Sequence, residues 1–313
     1  MTNPQIGNML LGSIELFCLS AEHGSFTRAA MHAGLTPAAV SRSISRLEER
    51  LNVRLFSRNT RSIQLTTSGR AFLQHCRSAL DQLREAEREI GGHQAEASGK
   101  IRLSVPTTYG HHRVLPLIGE FLAQHPKVQI DIHVGNRNVD LISDEFDLAI
   151  RARTPPDSSL IARHLEDAEL VIVGSPLYFA RHGRPDTLAD LNKHKCINFI
   201  LPSTGRPSPW LFKSDGVIQN VVEHSDYSVM DDVLAGITLA KSGVGLFQTM
   251  AFTVTEDLRS GALETVLDDY SGCTRPFYLL YPQSRHLPRR VRLLIDFLVA
   301  IAPENKKGLD VSV

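Results

Sequence analysis

The chain has 313 residues, with 34 basic and 34 acidic side chains, a hydrophobic fraction of 42% and a charged fraction of 22%. At about 150 residues per domain this is two domains or three, large enough to bury their cores without disulfide or metal staples. The zero balance excludes an acidic tail or a uniformly basic nucleic-acid binder but leaves room for a local basic patch, and no apolar run reaches the ~20 residues of a membrane span.

The first 65 residues hold that patch. Seven arginines and no lysine stand against four glutamates, a net +3, and six of the arginines (Arg42, Arg46, Arg50, Arg54, Arg58, Arg61) fall within twenty residues. Ile14, Phe17 and Ala21 form an apolar stripe at helical spacing that His23-Gly24 ends. Ser25 is a candidate N-cap for a second helix with Phe26, Ala29, Ala30 and Ala33 on one face, and Gly34 is its stop. Thr36-Pro37 reads as N-cap and first turn of a third helix whose stripe is Val40, Ile44, Leu47 and Leu51; Asn52 can take the left-handed conformation that ends it. Val53 to Leu65 reads as a two-stranded ribbon turning near Asn59-Thr60. A long helix follows from Thr66 or Thr67 to Gly91-Gly92. Leu73, Cys76, Leu80, Leu83 and Ile90 make a near-heptad seam on it, which predicts pairing with a second helix.

His93 to Gly99 is small and polar and reads as a linker. Strands and helices then alternate. Strands are expected at Ile101–Val105, Val128–Val134, Phe146–Ile150, Leu170–Val173, Cys196–Ile200, Val217–Val222 and Val244–Phe247. Helices are expected from Pro106-Thr107-Thr108 through Leu122, at Val139–Ser143, Pro176–His182, Tyr227–Lys241 and His286–Ile301. The alternation argues for a doubly wound α/β fold behind an N-terminal all-α unit.

Helix, short turn and basic second helix make the helix-turn-helix layout. With Val40, Ile44, Leu47 and Leu51 turned inward, Ala38, Ser41, Arg42, Ser45 and Arg46 face outward. Small residues near the helix start allow close approach to base edges, and Arg42 can reach guanine or phosphate. Arg58 and Arg61 on the ribbon add contacts as a wing does. The chain resembles a LysR-type transcriptional regulator. The resemblance rests on Phe17, Gly24-Ser25-Phe26, Ala29-Ala30, Leu35-Thr36-Pro37-Ala38-Ala39-Val40-Ser41-Arg42, Ile44, Leu47-Glu48, Leu55-Phe56, Arg58, Arg61 and Leu65-Thr66-Thr67-Ser68-Gly69, dense over residues 9 to 75 and looser to about 303. Leu103-Ser104-Val105-Pro106, Asp147-Leu148-Ala149-Ile150-Arg151 and Gly243-Val244-Gly245 resemble later motifs of that family. Asn52 departs from its usual glycine, and Met250 stands where many relatives have proline.

The resemblance implies a winged helix-turn-helix over 1–65, a dimerisation helix over 66–92 and an effector-binding domain over 93–313. That domain would comprise two Rossmann-like subdomains, 93–166 with 275–303 and 167–274, as in type 2 periplasmic binding proteins. The partners it implies are double-stranded promoter DNA and further copies of the chain, as a homodimer through the linker helix and a homotetramer, with RNA polymerase as a further partner. On this reading Ser25, Thr27, Arg58 and Arg61 hold phosphates, Ala38, Ser41 and Arg42 read bases, and Pro37 and Arg46 complete the surface. The resemblance puts a small effector between the subdomains. Ligands of open α/β sheets sit beyond strand carboxyl ends. There Thr107, Thr108 and Tyr109 open a helix suited to an anion, and Asn136, Ser203, Phe247 and Gln248 follow other strands.

No cofactor or metal is expected, because His111-His112 point in different directions and have no matching cluster. Cys18, Cys76, Cys196 and Cys273 lie far apart with no C-x-x-C. With no secretory leader evident, this suggests a cytoplasmic protein with unpaired thiols. Two alternatives stand beside the regulator reading. One is a redox-sensing member of the same family acting through Cys196 or Cys273. The other is an α/β ligand-binding protein or enzyme, although no G-x-G-x-x-G, P-loop, H-E-x-x-H or G-x-S-x-G motif occurs.

Overall fold

The computed structural model describes residues 6–59, 62–90, 96–141, 144, 146–152, 160–214, 216–221, 227–283 and 287–303. The chain forms two compact units: Met1–Ala97 with Asp140–Phe146 and Ser284–Arg292, and the remainder.

The first unit runs α1 (Ile6–His23), α2 (Phe26–Ala33), α3 (Pro37–Leu51), β1 (Phe56–Asn59), β2 (Ser62–Leu65) and α4 (Thr67–Ile90). Local chemistry fixes the breaks. The Ser25 hydroxyl accepts from the Arg28 amide at 3.4 Å, and Gly34 closes α2 in the left-handed region at φ 66°. The Thr36 hydroxyl accepts from the Ala39 amide at 3.2 Å with Pro37 behind it, and Asn52 ends α3 at φ 51°. A side-chain cap of this kind is worth about 1 kcal/mol. Val40, Ile44 and Leu47 are buried as their spacing requires, against Phe17, Ala30, Leu55 and Phe56. The Phe17 ring sits 5.4 Å from both Phe56 and Phe72. β1 and β2 pair antiparallel, Phe56 opposite Leu65, as the ribbon reading expects.

The long helix divides its apolar seam. Leu73, Cys76 and Leu80 pack into this unit's own core, so the first part of the seam is not available to a partner. Leu83 is 47% exposed and continues the stripe outward. The side chain of Ile90, the last seam position, lies outside the described residues, as do residues 93–95 of the linker.

The second unit begins with β3 (Gly99–Val105) and α5 (Thr107–Tyr109), then a π-turn over Gly110–Val114, α6 (Leu115–Gln124), β4 (Val128–Val134) and β5 (Leu148–Arg151). It continues through β6 (Leu160–Gly174), α7 (Pro176–His182), β7 (Ile197–Ile200), β8 (Trp210–Ser214), β9 (Val217–Val221), β10 (Tyr227–Met230) and α8 (Val233–Lys241). It closes with β11 (Phe247–Met250), α9 (Thr255–Arg259), β12 (Glu264–Val266) and β13 (Thr274–Pro282), and it holds the final helix α10 (Arg289–Ala300) from Leu293 onward. The strand path is β11-β6-β13-β5-β3-β4, with β12 also on β6. β3 pairs parallel with β4 and β5, as a doubly wound half requires. The long strands β6 and β13 pair antiparallel and carry the sheet on to β11 and β12. The sheet is therefore mixed, and a single strand path serves both halves. A second parallel pair, β7 with β10, lies beside α8.

Four expectations are corrected. Val139–Ser143 holds no assigned helix among its described residues; the Asp144 amide bonds back to Asp140 and Phe146 to Leu141, which makes a turn. Tyr227–Met230 is a strand, because its edge finds β7, and only Val233 onward is helical. The strand expected at Val244–Phe247 lies three residues later. The helix after β3 is continuous but widens at Gly110–Val114, where an added Cβ on Gly110 would meet Val105 Cγ2 at 2.8 Å.

Candidate nucleic-acid interface and ligand site

With the caps in place, α3 turns Ala38, Arg42 and Arg46 to the exterior and leaves Ser41 and Ser45 half-buried. Arg42 Nε donates to the Ala38 carbonyl at 3.3 Å, which lays the guanidinium over the helix start. The Ser43 hydroxyl donates to that of Ser13 at 3.0 Å and ties α3 to α1. Thr27 and Pro37 are exposed beside this face, and Ser25 is half-buried. The structure thus brings together Ser25, Thr27, Pro37, Ala38, Ser41, Arg42 and Arg46 on α2, α3 and the turn between them. Arg58 is in β1 opposite Ile63, with its side chain outside the described residues; Arg61 lies outside them altogether.

Sequence reasoning missed the residue that seats the wing. Glu48 is 4% exposed, and one carboxylate oxygen accepts from the Leu55 and Phe56 amides at 2.8 and 3.0 Å. The other oxygen takes Arg54 Nη1 at 3.0 Å. Two buried N–H groups at the entry to β1 are satisfied by one side chain on the reading helix. The signal was present: Val40, Ile44 and Glu48 fall at successive four-residue steps, on the buried side. The far end of the wing is pinned as tightly. Thr66 donates its hydroxyl to the Arg54 carbonyl at 2.7 Å and caps α4 through the Gly69 amide at 2.9 Å. A Cβ on Gly69 would stand 2.0 Å from the Leu55 carbonyl oxygen, so only glycine fits.

In the second unit the strand ends gather a different cluster. Asn136, after β4, accepts the Thr107 amide at 3.2 Å through Oδ1. Its Nδ2 donates to the Thr107 hydroxyl at 3.1 Å and to the Asp231 carbonyl at 2.7 Å. Asp231 itself holds a left-handed φ of 61° just before α8, a conformation that favours glycine. Thr108 and Tyr109 are buried, and the Tyr109 ring packs 4.4 Å from Phe277.

Two expected ligand contacts are redirected inward. Phe247 is 1% exposed and fills the space left by Gly236, where a Cβ would come within 2.4 Å of the ring. The Gln248 amide is spent on the Leu211 backbone, accepting its N–H at 2.9 Å and donating to its carbonyl at 2.8 Å. Ser203 lies exposed in the loop after β7.

Arg151, at the end of β5, was missed as a site residue. Its guanidinium donates to the Ile150 carbonyl at 2.6 Å, the Ser104 hydroxyl at 2.9 Å, the Ser104 carbonyl at 3.3 Å and the Arg137 carbonyl at 3.5 Å. All are neutral oxygens. Burial alone depresses its pKa to about 10, so it remains a cation near neutrality, held without an acidic partner among the described residues. By contrast Arg113, on the π-turn, is paired with Glu166 through two bonds of 3.0 and 2.8 Å and lies 4.4 Å over the Phe252 ring.

Cys196 is fully buried; Cys273 is nearly so, and burial pushes its thiol up, away from the reactive thiolate. Among the described residues no group of three His, Cys, Asp or Glu side chains could hold a metal, and no helix is long and apolar enough to cross a membrane.

Comparison with known proteins agrees with both halves of this geometry. Residues 11–70 match the family described as bacterial regulatory helix-turn-helix protein, lysR family, and residues 94–302 match the LysR substrate binding domain. The chain is 32% identical over 302 residues to the probable HTH-type transcriptional regulator LtrA of Klebsiella pneumoniae, covering 96% of this chain and 97% of that protein. It also resembles the full-length structure of AphB, the virulence activator of Vibrio cholerae, with TM-score 0.58, 30% identity and coverage of 93% and 98%. The structure of CrgA from Neisseria meningitidis is similar, with TM-score 0.60, 28% identity and the same coverage. All three are described as transcriptional regulators or activators. The chain belongs to the LysR family of transcriptional regulators.

Proposed function

We propose that this regulator answers to a small anionic effector bound at the carboxyl ends of β3, β4 and β5, and that Arg151 is its charge partner. The observation that carries the reading is the cation itself: a half-buried guanidinium whose bonds all go to neutral oxygens gains most from an arriving carboxylate or similar anion. Thr107 and Thr108 open the helix beside it, and Ser203 lies on a strand-end loop from the other half of the unit. Tyr109 forms an apolar floor through its contact with Phe277.

On the DNA side, Ala38, Ser41 and Arg42 read base edges in the major groove, while Ser25, Thr27, Arg58 and Arg61 hold phosphates, with Pro37 and Arg46 at the margins. The exposed continuation of the α4 stripe from Leu83 supports a homodimer through that helix. The same reading extends to a homotetramer on promoter DNA, with RNA polymerase as a further partner.

The experiment is a thermal melt of the full chain with sodium benzoate, succinate and phosphate, each beside a neutral amide control. At a hundredfold excess over Kd a bound anion stabilises by about 2.7 kcal/mol, several degrees of melting temperature. The expected result is a shift with at least one anion, none with the amide, and loss of the shift in Arg151→Met. An amide shift equal to the anion's, or an Arg151→Met protein that still responds in full, overturns the anion reading.

A further inference from the structure

The two halves of the second unit share β6 and β13, and the pairing of these strands slips at one point. Phe277 lies opposite Glu166 and Tyr278 opposite His164, so Leu165 is an extra residue in β6. A bulge of this kind bends the strand that carries it. It falls between the halves: on one side β6 pairs with β11 from Leu170, and on the other β13 pairs with β5 from Tyr278. Phe252 reaches the same place from the second half. It lies on the short turn after β11 (Ala251–Thr253), which Thr253 fixes by donating its hydroxyl to the Met250 carbonyl at 2.7 Å, with the Thr249 hydroxyl at 3.0 Å. Its ring meets groups of the first half and of the shared strand: Arg113 Cζ at 4.4 Å, His112 at 5.7 Å, Tyr109 edge-on at 6.2 Å and Phe277 at 6.3 Å. Tyr109, His112 and Arg113 fall three and four residues apart, one face of the first helix. Arg113 is held in turn by two bonds to Glu166, a buried carboxylate next to the bulge.

We propose that Phe252 and Arg113 form a latch between the two halves of the second unit, and that the halves turn about the bulge at Leu165 when the ring leaves the guanidinium. The parts divide the work. Glu166 fixes the cation on the shared strand, so Arg113 keeps its place whether or not the ring is there. The rigid turn behind Phe252 moves the ring with the second half. Parting the two breaks a cation–π contact and ring contacts, and leaves the buried ion pair whole. Separation at this point therefore costs little and exposes no unpaired charge, which suits a contact that must break and reform. The latch lies at the bulge, whereas the bond from Asn136 to the Asp231 carbonyl joins the halves at the strand ends. Two separate contacts thus hold one hinge, and loosening the first throws the load on the second. The latch acts whichever ligand the domain takes, so it stands or falls apart from the anion reading.

The test is hydrogen–deuterium exchange of the full chain, read by mass spectrometry with no anion added, in the parent, Arg113→Gln and Phe252→Leu. The second variant keeps an apolar side chain and removes only the ring. The peptide that decides spans residues 229–235, which carries Asp231 at the strand ends. Loss of a partly desolvated cation–π contact should raise the open population, and with it exchange in this peptide, roughly five- to thirtyfold in both variants. Peptides of α7 and of the β8–β9 hairpin, inside the second half, should exchange as in the parent. A merely local role for Arg113 would confine the change to the neighbours of residues 113, 166 and 252. That outcome, acceleration in only one of two folded variants, or acceleration spread evenly over the second unit overturns the proposal. Should Arg113→Gln fail to fold, Phe252→Leu decides alone.

Discussion

The two units use their polar side chains in opposite ways. In the reading head, Ala38, Arg42 and Arg46 stand exposed on a helix whose frame is fixed from behind by Glu48, Thr66 and Gly69. At the strand ends of the second unit, Asn136 and Gln248 are spent on backbone partners, while the Arg151 guanidinium holds its charge without an acidic partner among the described residues. A surface for DNA can display its contacts in advance, because the partner is rigid and water solvates them until it arrives. On the proposed reading, the small-molecule site is closed by its own polar groups, and its specificity rests on the charge they do not neutralise.

The sharpest way to break this comparison is at the frame. Glu48→Ala leaves the buried Leu55 and Phe56 amides without an acceptor. At about 1–3 kcal/mol for each of the two orphaned amides, the first unit should lose roughly 2–6 kcal/mol, read as a lower melting temperature. Unchanged melting would show that water takes over the carboxylate's place. The display itself is tested by Arg42→Ala, which should weaken specific DNA binding by about 1–3 kcal/mol while affinity for random DNA changes little. Equal losses on both would make Arg42 a phosphate contact.

The smallest effect lies in the second unit. His194 Nδ1 is 3.1 Å from the Tyr178 hydroxyl, which also accepts the Lys195 amide. Burial first, then the His182 charge, lowers the His194 pKa below its ordinary value. The unfolded chain therefore takes up this proton first, and stability falls as pH drops through the ordinary histidine range near 6.5. Melting from about pH 7.5 to about 5.5 should show a shallower loss in His194→Gln than in the parent. Parallel curves would remove His194 from the pH response.

What the sequence made legible follows the same division. The breaks at Ser25, Gly34, Thr36 and Asn52 are decided within three or four residues, and all four were readable. Tyr227–Met230 is a strand only because Ile197–Ile200 lies alongside it, some thirty residues away in sequence, and its apolar spacing suits a helix equally well. Trp210–Ser214 went unread although its partner Val217–Val221 was found, because Ser208 and Pro209 gave no clear strand start. Among the site residues, the exposed face of α3 followed from helical periodicity. Arg151 did not: its isolation depends on β3 and β5 lying parallel, which sets Ser104 beside it.

On the proposed anion reading, the Thr107 amide that the ligand would take is already bonded to the Asn136 side chain. Recognition there is an exchange, one acceptor for another, and the resident acceptor is a neutral amide oxygen. An incoming neutral carbonyl would merely break even, whereas a carboxylate oxygen forms a bond of roughly twice the strength. The protein thus carries an internal competitor that discounts weak mimics in advance. On that reading, releasing it would also free the amide group that holds the Asp231 carbonyl, coupling ligand capture to the loosening of that residue.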